Sequence, residues 1–216
     1  MKKLVILASL ASAVMFTATA GTTPKATSAT EVAASAKARA YKVDVEKSDL
    51  KWHAKKVTGE HMGTVALKSG QMLVDGNKVT GGTFVIDMNT IACTDIKDAG
   101  YNQKLVGHLK SDDFFSVEKH GTATFKITGV KPIAKAAAGQ PNYTVTGDLT
   151  IKGITNQVSF PATISVKNGV ASAKGDVTIN RAKYDVRYGS NSFFDNLGDK
   201  AIYDDFVVTL DVTAKQ

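Results

Sequence analysis

From Tyr143 to Lys152 the side chains alternate without exception. Tyr143, Val145, Gly147, Leu149 and Ile151 fall on one face, and Thr144, Thr146, Asp148, Thr150 and Lys152 on the other. A period of two with one apolar and one polar face describes a strand buried on one side, the habit of antiparallel sheets. The same pattern returns along most of the chain. Leu50, Trp52 and Ala54 oppose Lys51, His53 and Lys55, and Phe84, Ile86 and Met88 oppose Thr83, Val85 and Asp87. Phe125 and Ile127 mark a strand over 122–130; Phe160, Ala162, Ile164 and Val166 mark another around Pro161. Gly175, Val177 and Ile179 are in phase over 170–181, and Phe206, Val208, Leu210 and Val212 form the last strand. A further strand is expected over 61–74, bent at Ser69-Gly70. Asp75-Gly76-Asn77, the 152–156 stretch and Asn168-Gly169 supply the turns. About eight sequential antiparallel strands close into an up-and-down barrel or pair as a sandwich, and their length with short turns favours the barrel.

One stretch departs from this rhythm. In 104–118, KLVGHLKSDDFFSVE, the residues Leu105, Val106 and Leu109 recur at spacings of three and four, which predicts a short helix. Ser111 with Asp112 and Asp113 then forms a turn before Phe114 and Phe115. A helix inserted between strands is expected to cap one end of the barrel, with Leu105, Leu109, Phe114 and Phe115 packing on it and His108, Asp112 and Asp113 fixing the turn. Residues 90–103 show no clean period and are expected to be a long connection. Residues 134–142 are a small-residue loop, and 187–205 an aromatic one.

The first residues have the form of an address. Lys2 and Lys3 precede the uncharged apolar run Leu4 to Ala18, and Ala18-Thr19-Ala20 fits signal peptidase, so residues 1–20 are expected to be a signal peptide cleaved after Ala20. Residues 21–40, rich in Ala, Thr, Ser and Lys, are expected to be a flexible linker, leaving 41–216 as one barrel domain. The address implies a periplasmic or secreted protein. The run is shorter than the ~20 residues that span a bilayer, so no integral membrane protein is expected.

Cys93 is the only cysteine, which excludes an intramolecular disulfide. The formal charge of +7 is spread among Asp and Glu with no Arg-rich run. That excludes a nucleic-acid footprint and leaves a mild attraction to anionic headgroups, enough for transient membrane-surface contact. The sequence names no protein partner and leaves a dimer open.

Whether the barrel is filled or hollow turns on glycine. Gly147 and Gly175 stand at inward positions where a filled core would carry Val or Leu; they either permit coiling at a barrel corner or leave room beside the strand. An eight-stranded barrel is wide enough for either. The candidate wall of a cavity is Trp52, Phe84, Ile86, Phe125, Tyr143, Val145, Leu149, Val177 and Ile179. Arg181, in phase with Ile179, is a candidate contact for a polar head, or else an ion-pair partner of Asp176, Asp185 or another carboxylate. His108 either touches a head group or caps local backbone.

His53, His61, His108 and His120 show no metal-ligand spacing, so no metal is expected. Asp112/Asp113 and Asp204/Asp205 are adjacent, which makes their side chains diverge and disfavours acid/base work. With no nucleophile elbow or phosphate loop, the residues favour a non-catalytic protein with no cofactor.

The strand carrying Trp52, Gly82-Thr83-Phe84-Val85-Ile86-Asp87-Met88, the HLKSDDFF run from His108, Gly147-Asp148-Leu149-Thr150-Ile151-Lys152-Gly153-Ile154-Thr155 and Ile179-Asn180-Arg181 together resemble the YceI-like family over 41–216. The resemblance implies an all-β, extended lipocalin-like antiparallel eight-stranded barrel with a short helical insertion. It also implies an exported carrier without catalysis that holds a polyisoprenoid or another long-chain amphiphilic lipid in its apolar cavity. The alternative is a structural or stress-related interaction module with an empty barrel, whose aromatic loop docks a partner.

Overall fold

A computed structural model describes residues 38–216. The expected signal peptide and nearly all of the expected linker lie outside the described residues; the linker's last two, Arg39 and Ala40, already pair with Val74 and Leu73.

Nine strands form one closed sheet: β1 (Arg39–Val43), β2 (Asp49–Lys56), β3 (Gly59–Asp75), β4 (Lys78–Cys93), β5 (Thr122–Pro132), β6 (Tyr143–Ile151), β7 (Ile154–Lys167), β8 (Val170–Asn180) and β9 (Ile202–Lys215). The barrel nevertheless has eight staves. β3 pairs with β2 over its first half and with β1 over its second, and β9 also takes both partners. β1 and β2 are thus one stave broken by a 3-10 turn at Val45–Lys47. From there every strand pairs with its sequence neighbour, and β2–β9 closes the ring. All pairings are antiparallel, as the alternation requires.

The hairpins follow their turn residues. Lys152-Gly153 and Asn168-Gly169 both have two consecutive residues at positive φ, the backbone whose twist matches the flanking strands. The end of the barrel that carries the 57–58 and 152–153 turns also carries the β4–β5 and β8–β9 connections. We call it the cap end.

Of the expected connection over 90–103 only 94–98 is irregular; 90–93 continue a strand and 99–103 open a helix. β4 runs on to Cys93, but its buried set changes from Phe84 and Met88 to Ile91 and Cys93, a switch of phase that hides the period. The cause is a register slip against β3 between Thr64 and Ala66, whose partners on β4 are Ala92 and Asp87. Thr90 repairs the ladder there: its hydroxyl accepts from Ala66 N at 2.8 Å and donates to Asp87 O at 2.6 Å. The helix α1 is Ala99–Lys110, a turn and a half longer at its start than Leu105–Leu109 suggests. Asp98 caps it by accepting from Tyr101 N at 2.8 Å. Ser111 N closes it on Gly107 O and His108 O.

The interior is unequal along its length. Away from the cap end, Tyr41, Met72, Val74, Val79, Val212 and Ala214 are buried against one another and fill the bore. Toward the cap end the wall residues Trp52, Ala54, Phe115, Ile202 and Phe206 are only half-buried. The outward face carries Lys51, Lys55, Thr146 and Asp148, so the barrel is apolar inside and polar outside, the reverse of a transmembrane barrel. Among the described residues no helix is long and apolar enough to cross a membrane.

Candidate functional site

The bore holds a cavity of about 220 Å³ that reaches from the filled end to the cap end. Its lining is hydrocarbon apart from three side chains, Trp52, Arg181 and Tyr203. Trp52 Nε1 donates to Ala92 O at 3.1 Å and is satisfied. The lining includes no histidine and no carboxylate.

Trp52, Phe84, Ile86, Phe125, Val145, Leu149, Val177 and Ile179 all line this space. Tyr143 does not. It opens β6 opposite Ala162 and Pro132 and is half-buried against the core; its partner Ala162 borders the cavity and Tyr143 itself does not. Sequence reasoning passed over Leu50, Ala54, Val158, Phe206, Val208 and Leu210, which also line the cavity. Their phase on β2, β7 and β9 was readable; what was missing was how far along each stave the hollow extends.

Gly147 settles one alternative. A Cβ there would stand 2.5 Å from the Phe125 ring and 2.6 Å from Lys126 O, so the missing side chain is replaced by an aromatic ring and not by void. Phe125 in turn stacks with Phe84 at 6.3 Å and tilts against Phe160 at 5.9 Å. At Gly175 a Cβ would meet Pro161 O at 2.7 Å. There β7 and β8 stop pairing, the register ending at Ala162↔Gly175. Gly175 is therefore a corner glycine, and neither glycine opens the hollow.

Two insertions cover the cap end. From α1 and the turn after it come Leu109, Phe114 and Phe115, which line the cavity; Leu105 is half-buried and His108 lies outside the lining. His108 packs edge-on against Phe114 and Tyr188, with ring centroids 4.9 and 4.5 Å apart, and its Nε2 lies 3.0 Å from Asp113 Oδ2. Asp112 instead accepts from Ser116 and from Lys119 Nζ, the latter at 2.6 Å, so the two carboxylates diverge and hold the turn. The second insertion is 181–201, whose Tyr188 meets both His108 and Phe114.

Arg181 organises that second insertion. It is 4% exposed, on a 3-10 corner after β8 (Arg181–Tyr184). Its Nε donates to Tyr203 O at 3.1 Å, Nη1 to Val186 O at 3.1 Å and Tyr188 O at 2.8 Å, and Nη2 to Ile202 O at 3.0 Å. Nη2 also stands 3.4 Å from Asp204 Oδ1, and the guanidinium lies over the Phe114 ring at 6.0 Å. Burial pulls its pKa below the ordinary value, with Asp204 acting against that. Four of the five N–H donors of the fork are bonded to backbone carbonyls and its charge faces Asp204, so Arg181 is not free to hold a polar head; it clips the 186–204 segment across the mouth. Its carboxylate is Asp204, with Asp176 and Asp185 bound elsewhere, to Thr209 and Arg187. Beside it, burial pushes the Tyr184 phenol up to about 12, and its hydroxyl has no partner among the described residues.

Outside the bore, Asp95 joins α1's approach to β3. Burial would raise its pKa, but bonds from Met62 N, His61 and the Cys93 thiol outweigh that and hold it at about 2. Cys93 itself is pushed up, chiefly by burial, which makes it an inert packing thiol.

A closed antiparallel barrel with a filled end, a hollow apolar end and a two-part cover defines a calyx-type ligand-binding barrel. The chain belongs to the YceI-like family, whose domain matches residues 41–214. Among solved structures it is similar to Burkholderia cenocepacia BcnA, at 26% identity over 80% of this chain and 99% of that one, with a TM-score of 0.59. It also shares the fold of a polyisoprenoid binding domain from Saccharophagus degradans, at 16% identity over 81% of this chain and 97% of that one, TM-score 0.55. A UPF0312 protein of Ectopseudomonas mendocina is 46% identical over 55 residues, 26% of each chain. One from Staphylococcus aureus is 34% identical over 97 residues, 40% of this chain and 49% of that one. The aligned stretches thus span about a quarter to a half of these relatives.

Proposed function

We propose that this protein is an exported, non-catalytic carrier that holds the tail of one long-chain amphiphilic lipid, a polyisoprenoid or a fatty chain, in the barrel. The observation that carries this is the lining. Within it the indole N–H and the guanidinium are already bonded to protein carbonyls, which leaves only the Tyr203 hydroxyl at the mouth. A buried ligand segment therefore finds no polar partner and must itself be hydrocarbon. Burying ~10 methylenes at roughly 0.8 kcal/mol each contributes about 8 kcal/mol gross, enough for retention after ordering costs. The fold shared with a polyisoprenoid binding domain and the signal-like residues 1–20 support the ligand class and the export.

Organic extraction of the protein purified from its native host, followed by mass spectrometry, tests this. A stoichiometric single-tailed lipid is the expected result; repeated empty preparations, with probes such as a C16 alkyl amide failing to bind, would overturn it.

A further inference from the structure

Among the described residues, eight of the ten exposed large hydrophobic side chains lie at the cap end, and they are shared among all four of its connections. Val57 is in the β2–β3 turn, with Met62 just beyond it; Tyr101 is on α1, and Ile154 follows the β6–β7 turn. Tyr188, Phe193, Phe194 and Tyr203 belong to the β8–β9 connection and its exit. The other two, Val45 and Val170, are in the broken stave and at the opposite end. Folding buries the apolar face of every strand, so a one-sided residue of exposed aromatics is not a by-product of the alternation; it marks a contact surface.

The occupant follows from what this surface adjoins. Tyr203 is 53% exposed, the only side chain of the cavity lining that is fully in the exposed class, so the apolar lining and the outer aromatic patch meet there. Whatever covers the patch also covers the way into a space that accepts hydrocarbon. Tyrosines and phenylalanines with a cation among them, here Arg187 stacked 5.0 Å over Phe193, are the composition of a water–lipid boundary. Some ionic groups at this end pair with one another, Lys119 with Asp112 and Arg187 with Asp185, and the aromatic rings are the source of attraction that salt does not screen.

We infer that the cap end docks on a lipid bilayer, the rings of Tyr101, Phe193, Phe194 and Tyr203 entering the headgroup layer so that the cavity mouth faces the hydrocarbon without an intervening water layer. This rests on the lipid-carrier reading above. It adds the face that meets the membrane and the route by which an insoluble tail enters.

Flotation of the full chain with phosphatidylcholine vesicles, with and without phosphatidylglycerol, tests it. Wild type is expected to float with both compositions and to stay bound in about 0.5 M salt. The triple variant Tyr101→Ser, Phe193→Ser, Phe194→Ser is expected to lose about tenfold or more in vesicle association, with an unchanged circular dichroism spectrum. Val170→Ser, at the other end, is expected to float like wild type. Failure of wild type to float, flotation of the triple variant at the wild-type level, or flotation only with vesicles carrying native membrane proteins would each overturn the inference, the last in favour of a protein partner. Lipid extracted from the same preparations separates the two proposals: lipid-loaded protein that ignores vesicles defeats the docking alone, and empty protein defeats the carrier.

Discussion

Arg181 offers the sharpest test of how the cap is held. In Arg181→Met the side chain keeps its approximate length, but four carbonyls, at Val186, Tyr188, Ile202 and Tyr203, lose their donor. The carboxylate of Asp204, 15% exposed and with an Oδ1 that accepts no hydrogen bond, loses its counter-charge. At 1.5–3 kcal/mol net for each bond to a charged group, the gross loss is roughly 6–12 kcal/mol. The protein need not bear all of it, because the 186–204 segment lies at the surface and its carbonyls regain water if it lifts off. The measured destabilisation should therefore be that of breaking one buried ion pair with partial relaxation, about 3–5 kcal/mol, or near 10 °C in Tm for a domain of this size. Arg181→Lys keeps the charge beside Asp204 but gives up the planar fork, and about 2 kcal/mol is expected.

The distinguishing readout is local. Amide exchange should accelerate in 186–204 and around Phe114, whose ring loses the guanidinium above it, and much less in the β5–β7 hairpins. Bound lipid should leave faster. A variant with wild-type urea midpoint and unchanged protection over 186–204 would refute the clip.

Phe114→Ala removes a ring that is 7% exposed and packs on His108 and Tyr188; it should cost about 3 kcal/mol and reduce lipid retention, measured by urea unfolding and by extraction. Ala173→Leu pushes a larger side chain from β8 into the cavity, so lipid content should fall while the Tm of lipid-free protein holds or rises. Asp95→Ala should destabilise at neutral pH. Because the folded-state pKa is depressed to about 2, Asp95's contribution is fully present above its unfolded value, about 4, and is lost as pH falls through 2. The gap between variant and wild type should close over that window in pH-dependent unfolding.

Most of the barrel could be read from alternation because one face of nearly every strand meets water. β6 follows the rule over its whole length, from Tyr143 to Ile151. The rule failed at Met88–Ile91, where a register slip shifts the buried set by one position and a threonine hydroxyl stands in for the ladder. Phase tells which residues point inward, but not which of them border the hollow. Tyr143 and Val145 differ by one repeat, yet only Val145 lines the cavity. Arg181 was legible as an inward-pointing cation. Two of its four carbonyl partners, Val186 and Tyr188, come from a segment without period and two from the start of β9, ahead of the alternation that begins at Phe206, so no spacing in the sequence foretold them.

The hollow end bears on stability as well as on binding. An apolar void costs roughly 24 cal/mol per Å³, so 220 Å³ left empty costs about 5 kcal/mol, a large share of the 5–15 kcal/mol typical of a folded domain. The filled end, with Met72, Val74, Val79 and Val212 at 5% exposure or below, must support that deficit when no lipid is present. A tail in the cavity offsets it, and since the unfolded chain offers no such cavity, bound lipid stabilises by mass action. Delipidated protein should accordingly melt lower than the form isolated with lipid, with the loss of protection concentrated in the half-buried wall of β2 and β9 and in the two cap insertions. If delipidation left Tm and exchange unchanged, the cavity would have to be closed by rearrangement of its own side chains, and the case for a standing lipid site would go with it.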